Sequence, residues 1–154
     1  MRSYPGRRLL QASWTGTGAL IVAAVAGVVA IDTFAPVVVW LSALMFASGC
    51  VLFFVAYARA VARSRTDAIG IGGLYFLSGS APAPIRRHLM GSFAVQCLVV
   101  VLVIALRPFT SLVLSSLAPM FGLGCAGVWG ARFGTFAPRR GARSECDEDP
   151  PGGG

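Results

Sequence analysis

Residues 37–58 read VVVWLSALMFASGCVLFFVAYA, 22 consecutive positions without an acidic or basic side chain. A helix rises about 1.5 Å per residue, so a run of this length crosses a hydrocarbon core of about 30 Å. Three more runs, 15–31, 89–106 and 111–129, share its character. Together they predict an all-α fold: an integral membrane four-helix bundle built from two tandem helical hairpins. The four-span transmembrane unit is expected over 1–136, with a loop at 59–88 between the second and third spans. The stretch 137–154 turns from basic to acidic at Glu145 and ends Pro-Pro-Gly-Gly-Gly, so it reads as a disordered tail.

Working outward from the runs, the charges fall in one lopsided pattern. All 13 basic residues are arginine, a bias associated with GC-rich bacterial genomes. Arg2, Arg7 and Arg8 precede the first run; Arg59, Arg63, Arg65, Arg86 and Arg87 separate the second from the third; Arg132, Arg139, Arg140 and Arg143 follow the fourth. Only Arg107 falls on the opposite side. The positive-inside rule then predicts a multi-pass protein of the cell membrane with both termini and the 59–88 loop in the cytoplasm. Anionic lipid headgroups at that face are the expected partners of the arginines and account for the net charge of +7. Nucleic acid is not an expected partner. Arg7-Arg8 before an apolar run has the outline of a signal peptide, but no small-residue cleavage site follows, so the first run is read as a span. With 56% hydrophobic and 12% charged residues, the 154-residue chain leaves no separate soluble domain.

Shifting the chain by 75 residues lays the first hairpin on the second without a gap. Over residues 16–50 there are 12 identities in 35 positions, where skewed membrane composition gives about four by chance. Met45, Phe46, Gly49 and Cys50 meet Met120, Phe121, Gly124 and Cys125. A duplication of this kind relates two hairpins of the same orientation about an axis along the membrane normal, the parallel type of repeat. It places Asp32 and Arg107 at equivalent positions in the turns 32–36 and 107–110, where they are a candidate structural ion pair; two solvated turn residues are the alternative.

In lipid, helices associate through close backbone contact at small residues. Ala19, Ala23 and Gly27 form one small-residue stripe, Ala126, Gly130 and Gly134 a second, and Ala43 and Ala47 a weaker third. Gly27 and Gly130 in these stripes are candidate helix-packing positions, with a homodimer seam as the alternative use of the stripes. Gly49 and Gly124, one step before the matched cysteines, are two more and predict a close crossing at the same depth in each copy. The apolar stretch 68–77 is too short to span and reads as an interfacial segment on the cytoplasmic leaflet. A re-entrant or partner-docking element is the sharper reading of it.

Chemistry is sparse. No span carries an ionisable acid or base in its interior, which argues against a proton-coupled exporter. Gln96 is the most polar side chain within a span, and an interhelical hydrogen bond is its favoured role. His88 is the only histidine, so a bis-histidine haem site is excluded. Cys50, Cys97 and Cys125 lie within spans and Cys146 in the tail, with no Cys-x-x-Cys spacing. No catalytic residue, metal ligand or cofactor is expected, and the chain is read as not an enzyme.

The stretch from Phe76 through Leu-Ser-Gly-Ser-Ala-Pro82 runs on to Arg86-Arg87 and Ala94-Val95-Gln96. Arg107-Pro-Phe-Thr110, Leu117-Ala-Pro-Met-Phe-Gly-Leu-Gly124 and Trp129-Gly-Ala-Arg132 follow. These segments resemble a family of small actinobacterial four-span integral membrane proteins of unknown function. The resemblance covers 74–136 and implies a membrane location without an activity. The expected function is that of a non-enzymatic accessory or assembly partner of another membrane component. A small homo-oligomeric transporter or channel for an apolar or amphipathic solute is the alternative.

Overall fold

The computed structural model describes residues 6–64 and 70–136. The chain forms α1 (Arg7–Val29), α2 (Ile31–Arg63), a short α3 (Ile71–Tyr75), α4 (Ala83–Leu106), a 3-10 segment (Ser111–Leu117) and α5 (Pro119–Phe133). This is an all-α four-helix bundle. Arg7–Val29, Ile31–Arg63, Ala83–Leu106 and Ser111–Phe133 are long and apolar enough to cross a membrane. The expected tail at 137–154, with Cys146, lies outside the described residues.

Three boundaries differ from the sequence reading. Helices α1, α2 and α4 run past the apolar stretches into arginine-bearing positions, because arginine is itself a good helix former and a change from apolar to charged side chains does not end a helix. Thus the 59–88 segment begins inside α2 and ends inside α4. Second, 32–36 is not a turn. The chain reverses at Ala30 alone (φ −130°, ψ 72°), and Asp32 falls in the first turn of α2, where a carboxylate meets the positive end of the helix dipole. Third, the fourth span is two pieces. Pro119 has no N–H to continue an α-helix from Ser115, so Ser115 instead accepts from Ala118 N (3.0 Å) in 3-10 fashion.

Helices α2 and α5 run side by side in the same direction. Gly49 backs onto Met120 and Gly124, Ala56 lies by Gly127, and the Arg63 guanidinium donates to the Ala131 carbonyl at 3.0 Å. Helix α1 runs against α5, with Gly27 beside Leu112 at one end, Gly16 beside Phe121 at mid-height and Gly6 beside Trp129 at the other. Two pairs of residues related by the 75-residue shift touch each other: Thr17 with Ser92, and Gly49 with Gly124. The core stacks in layers along the bundle. Ala23, Ala24, Val38, Val103 and Leu112 fill the hairpin-turn end; Leu20, Met45 and Ala118 the middle; Leu77, Ile85, Leu89, Ala126 and Trp129 the other end, beside Ala56, Leu74, Tyr75 and Val128.

The crossing of α2 and α5 leaves no space for side chains. A Cβ on Gly49 would stand 2.5 Å from the Met120 carbonyl carbon and 2.6 Å from Phe121 N; one on Gly124 would stand 2.6 Å from the Gly49 carbonyl oxygen. Backbone cannot swing aside as a side chain does. Gly49→Ala is therefore expected to cost about 1–3 kcal/mol in detergent unfolding. Gly91→Ala, inside α4 with a Cβ that meets nothing within 4 Å, should instead be neutral or stabilise by up to about 1 kcal/mol. Equal effects would count against the crossing.

Candidate functional site

Two places in the bundle gather polar groups. The first lies between α1 and α4. Ser13 and Thr17 are four residues apart and so share one face of α1; Ser92 and Gln96 share one face of α4 in the same way. All four side chains are fully buried. Gln96 Nε2 donates to Thr17 Oγ1 (2.8 Å), which donates to the Ser13 carbonyl (2.9 Å) and has Ser92 Oγ at 3.4 Å. The Ser13 and Ser92 hydroxyls are hydrogen-bonded to each other. Gln96 Oε1 has no hydrogen-bond partner and faces Gly122, where a Cβ would come within 2.8 Å of it. Ser42 Oγ on α2 and Ser115 Oγ in the 3-10 segment are likewise buried without a partner.

These are neutral groups, so the cluster neither transfers protons as an acid–base pair nor presents a charge. Its chemistry is that of hydrogen-bonded glue between helices that lipid does not push together. Gln96 was legible in the sequence as an interhelical donor; Ser13, Thr17 and Ser92 were not. The available signal was the four-residue spacing on each helix together with the 75-residue equivalence of Thr17 and Ser92.

The second place is the arginine-rich end. Helix α3 folds into the bundle instead of lying flat on a leaflet. Leu74, Tyr75 and Leu77 are buried, with Leu77 in the left-handed region at φ 55°. The Tyr75 ring stacks on Phe53 (centroids 4.4 Å apart, 12° between planes), and its hydroxyl donates to the Phe53 carbonyl at 3.1 Å. Gly127 and Gly130 of α5 open the seat: a Cβ at 127 would stand 2.5 Å from the Tyr75 ring, and one at 130 would strike the Leu74 carbonyl. Ser80 Oγ donates to the Gly73 carbonyl, and Thr135 N donates to the Ser80 carbonyl (3.0 Å), closing the segment over α5. Among the described residues of the segment, the large apolar side chains that stay exposed are Ile71 and Phe76, at 75% and 50%.

The remaining sequence candidates are separated. The Asp32–Arg107 pair is not formed: the Arg107 guanidinium donates instead to the Val28 carbonyl (3.0 Å) in the last turn of α1, where the carbonyls lack helical donors. Gly27 packs against Val38 and Leu112 and belongs to the bundle interior, as do Gly49, Gly124 and Gly130. Of the small-residue stripes, Ala126, Gly130 and Gly134 are buried in the chain's own core, whereas Ala19 and Ala47 are exposed. Cys50, Cys97 and Cys125 are free thiols.

No family model, curated protein or solved structure matches this chain. The arrangement must therefore be read from its own geometry.

Two outcomes follow from that geometry. Removing the acceptor with Thr17→Val and the donor with Gln96→Leu should reveal a coupling of about 0.6–1.7 kcal/mol in a double-mutant cycle read by unfolding in detergent. Additive effects would mean that the bond is not stabilising. At the other end, burial, and after it the neighbouring Tyr57, push the Tyr75 phenol above its usual 10. Folding thus favours the neutral phenol, and its contribution is whole below pH 10 and lost as pH rises through the raised value. The wild-type thermal midpoint should fall when pH is raised past about 10, and fall less in Tyr75→Phe.

Proposed function

We propose that this is a non-enzymatic multi-pass protein of a bacterial cell membrane, an accessory or assembly partner of another membrane component. The observation that carries the reading is the pair Ile71 and Phe76. They stand out of a segment whose Leu74, Tyr75 and Leu77 are buried and whose Ser80 carbonyl accepts from Thr135 N just beyond α5, so they are apolar side chains on a segment held from both sides. A partner meeting such a pair loses little conformational entropy on binding. The bundle centre is filled, with α2 and α5 in backbone contact at mid-height, which favours a scaffold over a conduit.

The same end carries Arg7, Arg8, Arg59, Arg63, Arg86, Arg87 and Arg132, while Arg107 stands at the other. On the positive-inside rule this supports a cytoplasmic position for both termini and for the Ile71–Phe76 surface, with anionic headgroups around it. The all-arginine basic content and the likeness to small actinobacterial membrane proteins support the bacterial assignment. A homo-oligomeric transporter or channel for an apolar or amphipathic solute is the second reading. The observation on its side is that buried Gln96 Oε1, Ser42 Oγ and Ser115 Oγ have no hydrogen-bond partner within the bundle.

The test is crosslinking in the native membrane, mild-detergent purification and mass spectrometry on wild type and on Ile71→Arg/Phe76→Arg. A stoichiometric partner lost at least tenfold in the double variant, with unchanged expression and thermal midpoint, is the expected result. A clean homo-oligomer with no partner, whose solute flux in proteoliposomes drops in Gln96→Leu, would replace this reading with the transporter.

A further inference from the structure

Between α1 and α4, toward the hairpin-turn end, runs a groove of about 300 Å³ lined by aliphatic side chains, among them Ile21, Val25, Val28, Val99, Leu102 and Leu106. Val25, Leu102 and Leu106 are more than half exposed along it, at 59%, 51% and 64%. From Val99 to Leu106 is about 10 Å along the helix axis, most of the depth of one leaflet of a hydrocarbon core about 30 Å thick. The lining holds no charge. Its end does. Arg107 follows Leu106 directly, and its Nη2 donates at 3.0 Å to the carbonyl of Val28, itself part of the lining. That bond ties an exposed guanidinium to the backbone of a lining residue and uses one of its five N–H donors.

We propose that this groove binds one acyl chain of an anionic glycerophospholipid, with the lipid phosphate held by Arg107. A guanidinium offers phosphate two parallel N–H bonds in a fixed fork, and an arginine already oriented by a backbone carbonyl gives up less rotamer freedom in making them. The aliphatic walls match the chain; the charge at the end matches the headgroup. A second copy of the protein matches less well. Two chains inserted in the same direction and joined over this groove about a twofold axis would bring both Arg107 side chains to the same depth near each other, and the lining supplies no acid between them. The inference rests on the four helices spanning a membrane. It concerns the face and end away from Ile71 and Phe76, so its failure leaves the partner experiment untouched and the reverse also holds.

The test is native mass spectrometry of the full chain in a neutral maltoside, titrated with dioleoylphosphatidylglycerol and dioleoylphosphatidylcholine. Wild type is compared with Arg107→Gln, Val25→Trp and, at the opposite end, Arg86→Gln. The expected result is a first-lipid affinity at least fivefold higher for phosphatidylglycerol than for phosphatidylcholine. That preference should shrink to within twofold in Arg107→Gln and persist in Arg86→Gln. Val25→Trp, which fills the groove from an exposed position, should weaken the first binding of both lipids at least fivefold, and Val29→Trp serves in its place if that variant does not fold. Inorganic phosphate at the same concentration should leave the first-lipid affinity unchanged. An undiminished preference in Arg107→Gln, its loss in Arg86→Gln, wild-type lipid binding in a folded groove-filled variant, or a homodimer that Val25→Trp dissociates would each overturn the proposal.

Discussion

Where α2 crosses α5, main chain lies on main chain. The position of a Cβ on Gly49 is already taken by the Met120 carbonyl and Phe121 N, and that of a Cβ on Gly124 by the Gly49 carbonyl. In water such proximity would be one contact among many, because apolar burial would hold the helices together in any case. In lipid the surroundings are as apolar as the helix surfaces, and association depends on how closely the backbones fit. The other layers inherit their spacing from this point. Ala56 meets Gly127 two turns further along, and the Tyr75 ring finds its place between Phe53 and Gly127 only because the two helices stay close there.

The 75-residue correspondence of the two hairpins shows in two self-contacts, Thr17 with Ser92 and Gly49 with Gly124, and fails elsewhere: α1 packs on α5, but α2 has no comparable contact with α4. Helix α2 passes through Pro36 in its second turn without interruption, whereas its counterpart breaks at Pro119, which aligns with Leu44. A broken helix at membrane depth needs every freed carbonyl to find a donor. The 3-10 segment provides several locally, with Val113 N on the Thr110 carbonyl and Ala118 N on the Ser115 carbonyl, and it buries Leu112 and Ser115 in the chain's own interior. One hairpin thus has a continuous α-helix as its second arm, the other a 3-10 segment followed by an α-helix.

The existence and order of the spans could be read from four apolar runs, because length and absence of charge decide membrane crossing almost alone. Their ends could not, since arginine has a high helix propensity and does not mark where a helix stops. Asp32 through Pro36 has the composition of a turn, yet a single residue at Ala30 reverses the chain and frees Asp32 for the start of α2. Symmetry wrongly paired Asp32 with Arg107, because the nearest acceptor for the guanidinium is an unbonded carbonyl at the end of α1. Gln96 could be singled out by polarity. Its partners could not, since serine and threonine in helices commonly bond back to their own chain, as Thr17 also does to Ser13. Nor does a short apolar stretch announce that two glycines on a distant helix have left room for it.

That last feature carries a consequence for how the molecule comes into being. The seat for α3 is made by Gly127 and Gly130, and the chain is synthesised from the other end. At about 5–20 residues per second, the roughly 55 residues between Tyr75 and Gly130 take about 3–11 s to appear. Through that interval the first hairpin can already be in the bilayer, with Leu74 and Tyr75 waiting uncovered at its surface. The seat for Leu74 and Tyr75 is therefore complete only once α5 has been made and packed.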